Sequence, residues 1–144
     1  MLKKLLFSSS IVLISAFSVF AQSLHTPEKG SVERTEILNA LRAPVERELR
    51  QKIQFAVDHF NVQSNWAFLD GKPQTAAGGE PNYKGTEHQK AIDYGAFDNN
   101  FFALLKKTGG KWRVVKYQIG CTDVCYLTWA KDFRAPKAIF PTFD

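Results

Sequence analysis

Residues 101–120, FFALLKKTGGKWRVVKYQIG, constrain the fold of this chain more than any other stretch. Two runs of strand-forming residues flank Gly109-Gly110, and paired glycines adopt the positive φ angles that a two-residue hairpin turn requires. The apolar run before the glycines is typical of a central, well-covered strand. Regular alternation in the second strand predicts that Trp112 and Tyr117 lie on opposite faces of the sheet. We therefore predict two long antiparallel strands here.

A second hairpin is predicted upstream of the first. Apolar side chains alternate with polar or small ones over residues 53–57, and they alternate with the opposite parity at 60–62. This change of parity predicts a bulge or bend near Asp58-His59. A turn at 63–65 leads into a second strand at 66–70. The Gly- and Pro-rich residues 71–85 are then predicted to form a long loop.

The first part of the mature chain predicts an amphipathic helix. Apolar residues fall four apart from residue 37 to residue 49, which makes one stripe along a helix that begins near Val32. Ser31 precedes this pattern and is a candidate N-cap. Pro44 lacks a backbone donor and clashes with the preceding turn, so it kinks the helix or begins a second one.

The remaining elements are short. Thr86 is a candidate cap for a short helix that ends near Gly95, and Asp123 for a helical stretch that reaches about Phe133. The tail is expected to pack back on the body as extended chain. Helices segregated to one side of an antiparallel sheet define an α+β domain, which we place at residues 32–144. We expect a curled sheet of about four strands around the first helix, as in cystatin-like or nuclear-transport-factor-2-like folds.

The N-terminus has the layout of a secretory signal peptide. Lys3 and Lys4 precede an apolar run, and Val19 and Ala21 are the small residues of a cleavage site. The run is shorter than the roughly 20 residues that a spanning helix prefers. We therefore expect residues 1–21 to be removed and the mature protein to be periplasmic or secreted, without a membrane span. The polar residues 22–31 are predicted to form a flexible leader.

The charge of the mature chain does not indicate a nucleic-acid partner. Loss of the signal segment removes two lysines and no acidic residue, which lowers the formal net charge from +5 to +3. The basic residues are dispersed, and Lys106-Lys107 is the only adjacent pair after the signal. Nucleic-acid binders usually carry a denser basic stripe. Export also argues against such a partner.

Several short motifs are spread over most of the mature chain. They are ILNALR in the predicted helix, NWAF in a strand with PQ after it, and GKWRVV followed by IGCTDV near the end. In these motifs the chain resembles a group of small exported bacterial proteins that have no assigned biochemical role. The resemblance implies a common α+β fold and a location in the cell envelope. It carries over no catalytic residue.

Cys121 and Cys125 are the two cysteines of the chain, with three residues between them. In an exported protein such a pair most often forms a disulfide, and the intervening residues must then turn because a regular helix would misdirect the two side chains. A redox site usually has Cys-x-x-Cys spacing at the start of a helix. A zinc site would need two further ligands. We expect a structural disulfide, with no metal and no cofactor.

Aromatic side chains on the strands offer a candidate ligand pocket. We predict that it is lined by Trp66, Phe68, Trp112, Tyr117 and His59. The favoured hypothesis is a binding or interaction protein of the bacterial envelope, inhibitors included, without enzymatic activity and with an unknown envelope protein or small ligand as partner. The alternative is a small pocket enzyme that uses His59 or His88 with a carboxylate as acid and base. That enzyme would need a cavity with a histidine and a carboxylate within hydrogen-bond reach.

Overall fold

The computed structural model describes residues 22–143, and the predicted signal peptide at 1–21 lies outside the described residues. One long helix is followed by a four-stranded antiparallel sheet and a short C-terminal helical region, so the α+β class is confirmed. In chain order the elements are α1 (Val32–Leu49), β1 (Ile53–Gln63), β2 (Trp66–Thr75), α2 (His88–Asp93), β3 (Phe101–Thr108), β4 (Lys111–Ile119), α3 (Trp129–Asp132) and a 3-10 turn (Lys137–Ile139).

The sheet is built from the two predicted hairpins. Its strand order is β1-β2-β3-β4, and within the described chain β1 and β4 do not pair, so the sheet is open. Ser64 and Asn65 have φ angles of 49° and 66°, and Gly109 and Gly110 have 58° and 77°. Two consecutive positive φ angles are the mark of the tight turn that matches strand twist. Both hairpins are confirmed.

Two bulges decide which side chains share a face. In β1 the register shifts between Val57 and His59, as the change of parity predicted. In β4, Leu104 pairs with Lys116 while Leu105 pairs with Val114, so Val115 is an extra residue. This second bulge was not predicted. It places Trp112 and Tyr117 in the same apolar cluster under α1, and the prediction that they face opposite ways is wrong.

Helix α1 covers one face of the sheet. The Ser31 side chain accepts a hydrogen bond from the Arg34 backbone N–H at 3.2 Å, as expected of an N-cap. Pro44 lies inside one helix, so no second helix begins there; a kink at Pro44 stays a prediction. The predicted stripe is buried, and α1 contacts both outer strands, β1 and β4. The stripe consists of Ile37, Leu41, Val45 and Leu49.

The C-terminal segment covers the opposite face. Tyr126, Trp129, Ile139 and Phe140 are buried against Phe68 and its neighbours on the sheet. The tail therefore packs back on the body as predicted, although it contains a 3-10 turn where extended chain was expected. The molecule has three layers, with α1 on one side of the sheet and the C-terminal segment on the other.

Two segments predicted to be irregular belong partly to the sheet. Strand β2 continues through Thr75, so the loop begins later than the predicted residue 71. Pro73 is tolerated because β3 pairs with β2 only as far as Gly71, which leaves that edge of β2 without a partner strand. In the predicted leader, His25 forms a backbone bridge with Val62 of β1, with N···O distances of 3.0 and 2.8 Å.

Candidate functional site

The five residues of the predicted pocket lie on two faces of the sheet. Trp66 and Phe68 belong to the apolar cluster beneath the C-terminal segment, whereas Trp112 and Tyr117 belong to the cluster beneath α1. The His59 ring lies 5.8 Å from the Phe68 ring, on the C-terminal side. These residues therefore form two separate groups and do not line one cavity.

The C-terminal group is filled by the protein itself. Phe68 is fully buried, and its ring lies 4.8 Å from that of Tyr126 and 4.6 Å from that of Phe140. His59 Nε2 donates to the carbonyl of Ile139 at 2.7 Å. Across the ladder from His59, burial raises the pKa of Asp70. On this face His59 anchors the C-terminal segment to the sheet, and Phe68 is core.

The other group borders an open groove between α1 and β4, which we call the β4 groove. It has a volume of about 730 Å³ and is lined by Ala40, Ala43, Pro44 and Arg47 of α1 and by residues 112–117 of β4. Ala40 and Ala43 have small side chains, which leave space between α1 and the strand. Trp112 is 8% exposed, and its indole Nε1 is a buried atom that has no hydrogen-bond partner within residues 22–143.

Within the described chain, neither the outer backbone edge of β4 nor the cationic side chains along it have a partner. Strand β4 pairs with β3 on one side, and no strand of the described chain pairs with its outer edge. Arg47 of α1 borders the groove, and Arg113 and Lys116 of β4 project from the opposite face of the sheet along the same edge. None of them forms an ion pair with a carboxylate of residues 22–143. No acidic residue is among the residues that line it. The groove thus offers backbone hydrogen-bonding groups beside positive charge.

A polar cluster lies at the end of α1 beside Tyr117. Glu48 accepts hydrogen bonds from His88 Nε2 at 2.6 Å and from the Tyr117 hydroxyl. Burial, followed by the hydrogen bond to Glu48, raises the pKa of Tyr117 well above its ordinary value. The His88 ring also contacts the rings of Tyr83 and Phe97, at centroid distances of 5.8 and 5.6 Å. This cluster ties α1, α2 and β4 together.

The cluster borders a second cavity of about 510 Å³, and Glu48 and Tyr117 line it together with Arg47 and Arg50. A histidine and a carboxylate are therefore within hydrogen-bond reach beside a cavity, which meets the geometric requirement of the enzyme hypothesis. Both oxygens of Glu48 are engaged, however, and the His88 side chain is only 14% exposed between two aromatic rings. The arrangement suits a structural link between elements.

The two cysteines form a disulfide at the end of the sheet. The Cα atoms of Cys121 and Cys125 are 6.4 Å apart, and residues 122–124 are not helical. This confirms the prediction of a bond across a turn. The Asn100 side chain brackets the first cysteine, because its Nδ2 donates to the Cys121 carbonyl at 2.7 Å and its Oδ1 accepts from the Cys121 N–H at 3.0 Å. The disulfide lies in the connection between β4 and the C-terminal segment.

The structure of residues 22–143 also bears on metal binding and on membrane crossing. This part of the chain contains no group of three or more His, Cys, Asp or Glu side chains arranged to hold a metal ion. It also contains no helix that is both long enough and apolar enough to cross a membrane.

Sequence reasoning missed the α1 side of the groove. Ala40, Ala43 and Arg47 lie next to the buried stripe, and the two small side chains were a usable signal of a surface that leaves room for another group. Tyr117 was predicted to line a site, but its partner Glu48 is 69 residues away and carries no local signal.

The chain matches no family model, no curated protein and no solved structure.

Proposed function

We propose that this chain is an exported bacterial binding protein of the cell envelope, without enzymatic activity, and that it holds its partner in the β4 groove. The observation that carries the proposal is the free outer edge of β4 beside a groove of about 730 Å³. A free strand edge is a template for pairing with another chain, and proteins that do not use it usually cover it. Here the groove leaves it open.

The difference between the two faces of the sheet supports a binding role. On the C-terminal face Phe68 is fully buried among aromatic side chains, and the cavity that Tyr126 and Phe140 border there is smaller, at about 350 Å³. On the α1 face, Trp112 and Tyr117 of the predicted pocket both border the groove. A helix laid on a curled sheet, as in cystatin-like proteins, would leave such a groove along one outer strand. Inhibitors are one form that such a binding protein takes.

The location is part of the proposal. The disulfide between Cys121 and Cys125 is compatible with an oxidising compartment outside the cytoplasm. Export through the predicted signal at residues 1–21 accounts for both the disulfide and the apolar N-terminus. Fractionation of cells that express the full chain, with amino-terminal sequencing of the extracellular or periplasmic product, tests this assignment. A product that begins at Gln22 supports it, and full-length protein retained in the cytoplasm contradicts it.

Site-specific photo-crosslinking tests the groove. A benzophenone amino acid replaces Ala43, which lines the groove, and the control carries it at Ala138, an exposed alanine on the opposite face. After irradiation of the producing cells, the Ala43 variant should yield a discrete adduct that the Ala138 variant lacks. Equal adduct patterns from the two positions, or no adduct from Ala43, would refute binding in the groove.

The enzyme hypothesis keeps one supporting observation, which is the contact of 2.6 Å between His88 and Glu48 beside a cavity. If His88 acts as a base, the protein should hydrolyse an activated ester such as p-nitrophenyl acetate faster than free imidazole does, and His88→Gln should abolish the difference. A rate equal to that of imidazole, unchanged in His88→Gln, is expected if the cluster is structural.

A further inference from the structure

We infer that the partner held by the β4 groove is an extended acidic polypeptide segment that pairs with the outer edge of β4. The inference rests on the function proposed above and adds the chemistry of the partner. Three features of the groove specify it: its backbone edge, its length and its charge.

The backbone edge specifies an extended peptide. On the outer side of β4 alternate N–H and C=O groups point away from β3, and in the described chain no other strand accepts or donates there. A peptide in strand conformation satisfies these groups through main-chain hydrogen bonds, which is the recurrent mode of strand addition. A globular surface or a compact small ligand would leave most of them unpaired.

The dimensions fit one strand. Residues 112–117 line the groove, and six residues of strand extend about 20 Å at a rise of about 3.3 Å per residue. Ala40 and Ala43 form part of the opposite wall, so small and medium side chains of an added strand have room against α1. The bulge at Val115 interrupts regular pairing in the middle of the strand. We therefore expect the new hydrogen bonds on either side of Val115.

The charge specifies acidic side chains and disfavours a second copy of the chain. Arg47 lies on the α1 side of the β4 edge, whereas Arg113 and Lys116 project from the opposite face of the sheet, beside the position of an added strand. None of the three has an ion-pair partner among the described residues, and no carboxylate lines the groove. Pairing of two β4 edges would bring these cations near their own counterparts, which costs free energy. Carboxylates on an added strand would instead be attracted to them. The same charges that oppose self-association thus select the partner.

The test uses a fluorescein-labelled peptide of about eight residues with alternating Glu and Val, titrated with the mature protein and followed by anisotropy. Saturable binding is expected, together with slowed amide exchange in β4. A Lys-Val peptide of the same length should bind at least about tenfold more weakly. An acidic peptide N-methylated on every residue keeps its charge but loses the main-chain donors on both edges. It should also bind about tenfold more weakly, which corresponds to about 1.4 kcal/mol.

Matched charge reversals locate the site. The double variant Arg113→Glu, Lys116→Glu should bind the Glu-Val peptide at least about tenfold more weakly than the wild type does, and it should bind the Lys-Val peptide more tightly. The control, Lys131→Glu with Lys137→Glu, makes the same change in net charge at exposed positions in the C-terminal segment and should leave both affinities within about twofold. Equal losses in the two double variants, or full binding by the N-methylated peptide, would show non-specific charge attraction and overturn the inference.

Failure of this inference is distinguishable from failure of the proposed function. An adduct at Ala43 with a glycan, with a second copy of the chain or with a partner that lacks an acidic extended segment would refute strand addition by an acidic peptide. Such a result would still leave the groove as the binding surface. Absence of any adduct at Ala43 would refute the proposal that the β4 groove is the binding surface.

Discussion

Gly71 is the position where a single methyl group should damage the fold most directly. It lies in β2 opposite the β1 bulge, with φ at +154°, and a Cβ at this position would lie 2.0 Å from the Ala56 carbonyl oxygen. Real Cβ contacts essentially never fall below 3.0 Å, so the two backbones would have to part by about 1 Å. Both atoms belong to paired strands, and neither can move without breaking the ladder.

The cost of Gly71→Ala follows from two contributions. A conformation reserved for glycine costs an L-residue about 1–3 kcal/mol. Loss of two ladder hydrogen bonds around the bulge adds about 1 kcal/mol each. We therefore expect the free energy of unfolding to fall by about 3–5 kcal/mol, a large part of the roughly 5–15 kcal/mol that is typical of a domain.

Two other glycines separate these contributions. Gly85 has φ at +76°, and no atom lies within 4 Å of the point that a Cβ would occupy, so Gly85→Ala should cost only about 1 kcal/mol from the backbone conformation. At Gly79 the nearest atom is Thr75 Oγ1 at 3.7 Å, an ordinary contact, so Gly79→Ala should be neutral or slightly stabilising. Urea unfolding followed by tryptophan fluorescence measures all three variants. If Gly71→Ala is no less stable than Gly85→Ala, the argument from close backbone approach is refuted.

Three further predictions concern the disulfide, the polar cluster and the N-terminal bridge. Replacing Cys121 and Cys125 by serine opens a short covalent ring and should lower the free energy of unfolding, measured in urea, by about 2 kcal/mol. Reductant should lower the free energy of unfolding of the wild type and leave that of the variant unchanged. Glu48→Ala leaves the Tyr117 hydroxyl and the His88 ring without their acceptor and should cost about 1–3 kcal/mol by the same assay; an effect below that of an exposed control such as Glu80→Ala would contradict it. The hydrogen bond to the Ser23 carbonyl, and then that to Glu33, raises the pKa of His25 above 6.5. Protonated His25 therefore stabilises the folded N-terminal bridge in full below pH 6.5, and this stabilisation is lost as the pH rises through the raised pKa. Protection of the Val62 amide against hydrogen exchange, corrected for the intrinsic rate, should fall in the wild type as the pH rises from 6.5 through the raised pKa of His25. It should not change with pH in His25→Ala.

The elements that were predicted correctly depend on interactions between near neighbours in the chain. The α1 stripe repeats every four residues, and Ser31 caps a backbone N–H three residues away. The hairpin turns depend on two adjacent residues that adopt positive φ, and the disulfide joins cysteines four apart. A change of parity revealed the β1 bulge because apolar residues lie on both sides of it. These patterns are visible in any short window of the sequence.

The β4 bulge carries a similar sign, because the apolar positions change parity from Trp112 and Val114 to Tyr117 and Ile119. The prediction of regular alternation overlooked it. Val114 and Val115 are adjacent and both apolar, so pairing with Leu104 and Leu105 decides which of the two is the extra residue. That choice brings Tyr117 to the α1 face, where it meets Glu48. A shift of one residue would have sent Tyr117 to the C-terminal layer.

Local residue patterns predict the class of the fold, the two hairpins, the buried stripe of α1 and the covalent turn at Cys121–Cys125. The packing of distant elements brings Trp112 and Tyr117 into one groove with Ala43 and Arg47, and it joins Glu48 to a histidine 40 residues away. The physical reason is that local conformation follows from neighbouring residues, whereas a groove is the space left between elements that are distant in the chain. Its shape depends on strand register and on how α1 packs across the outer strands.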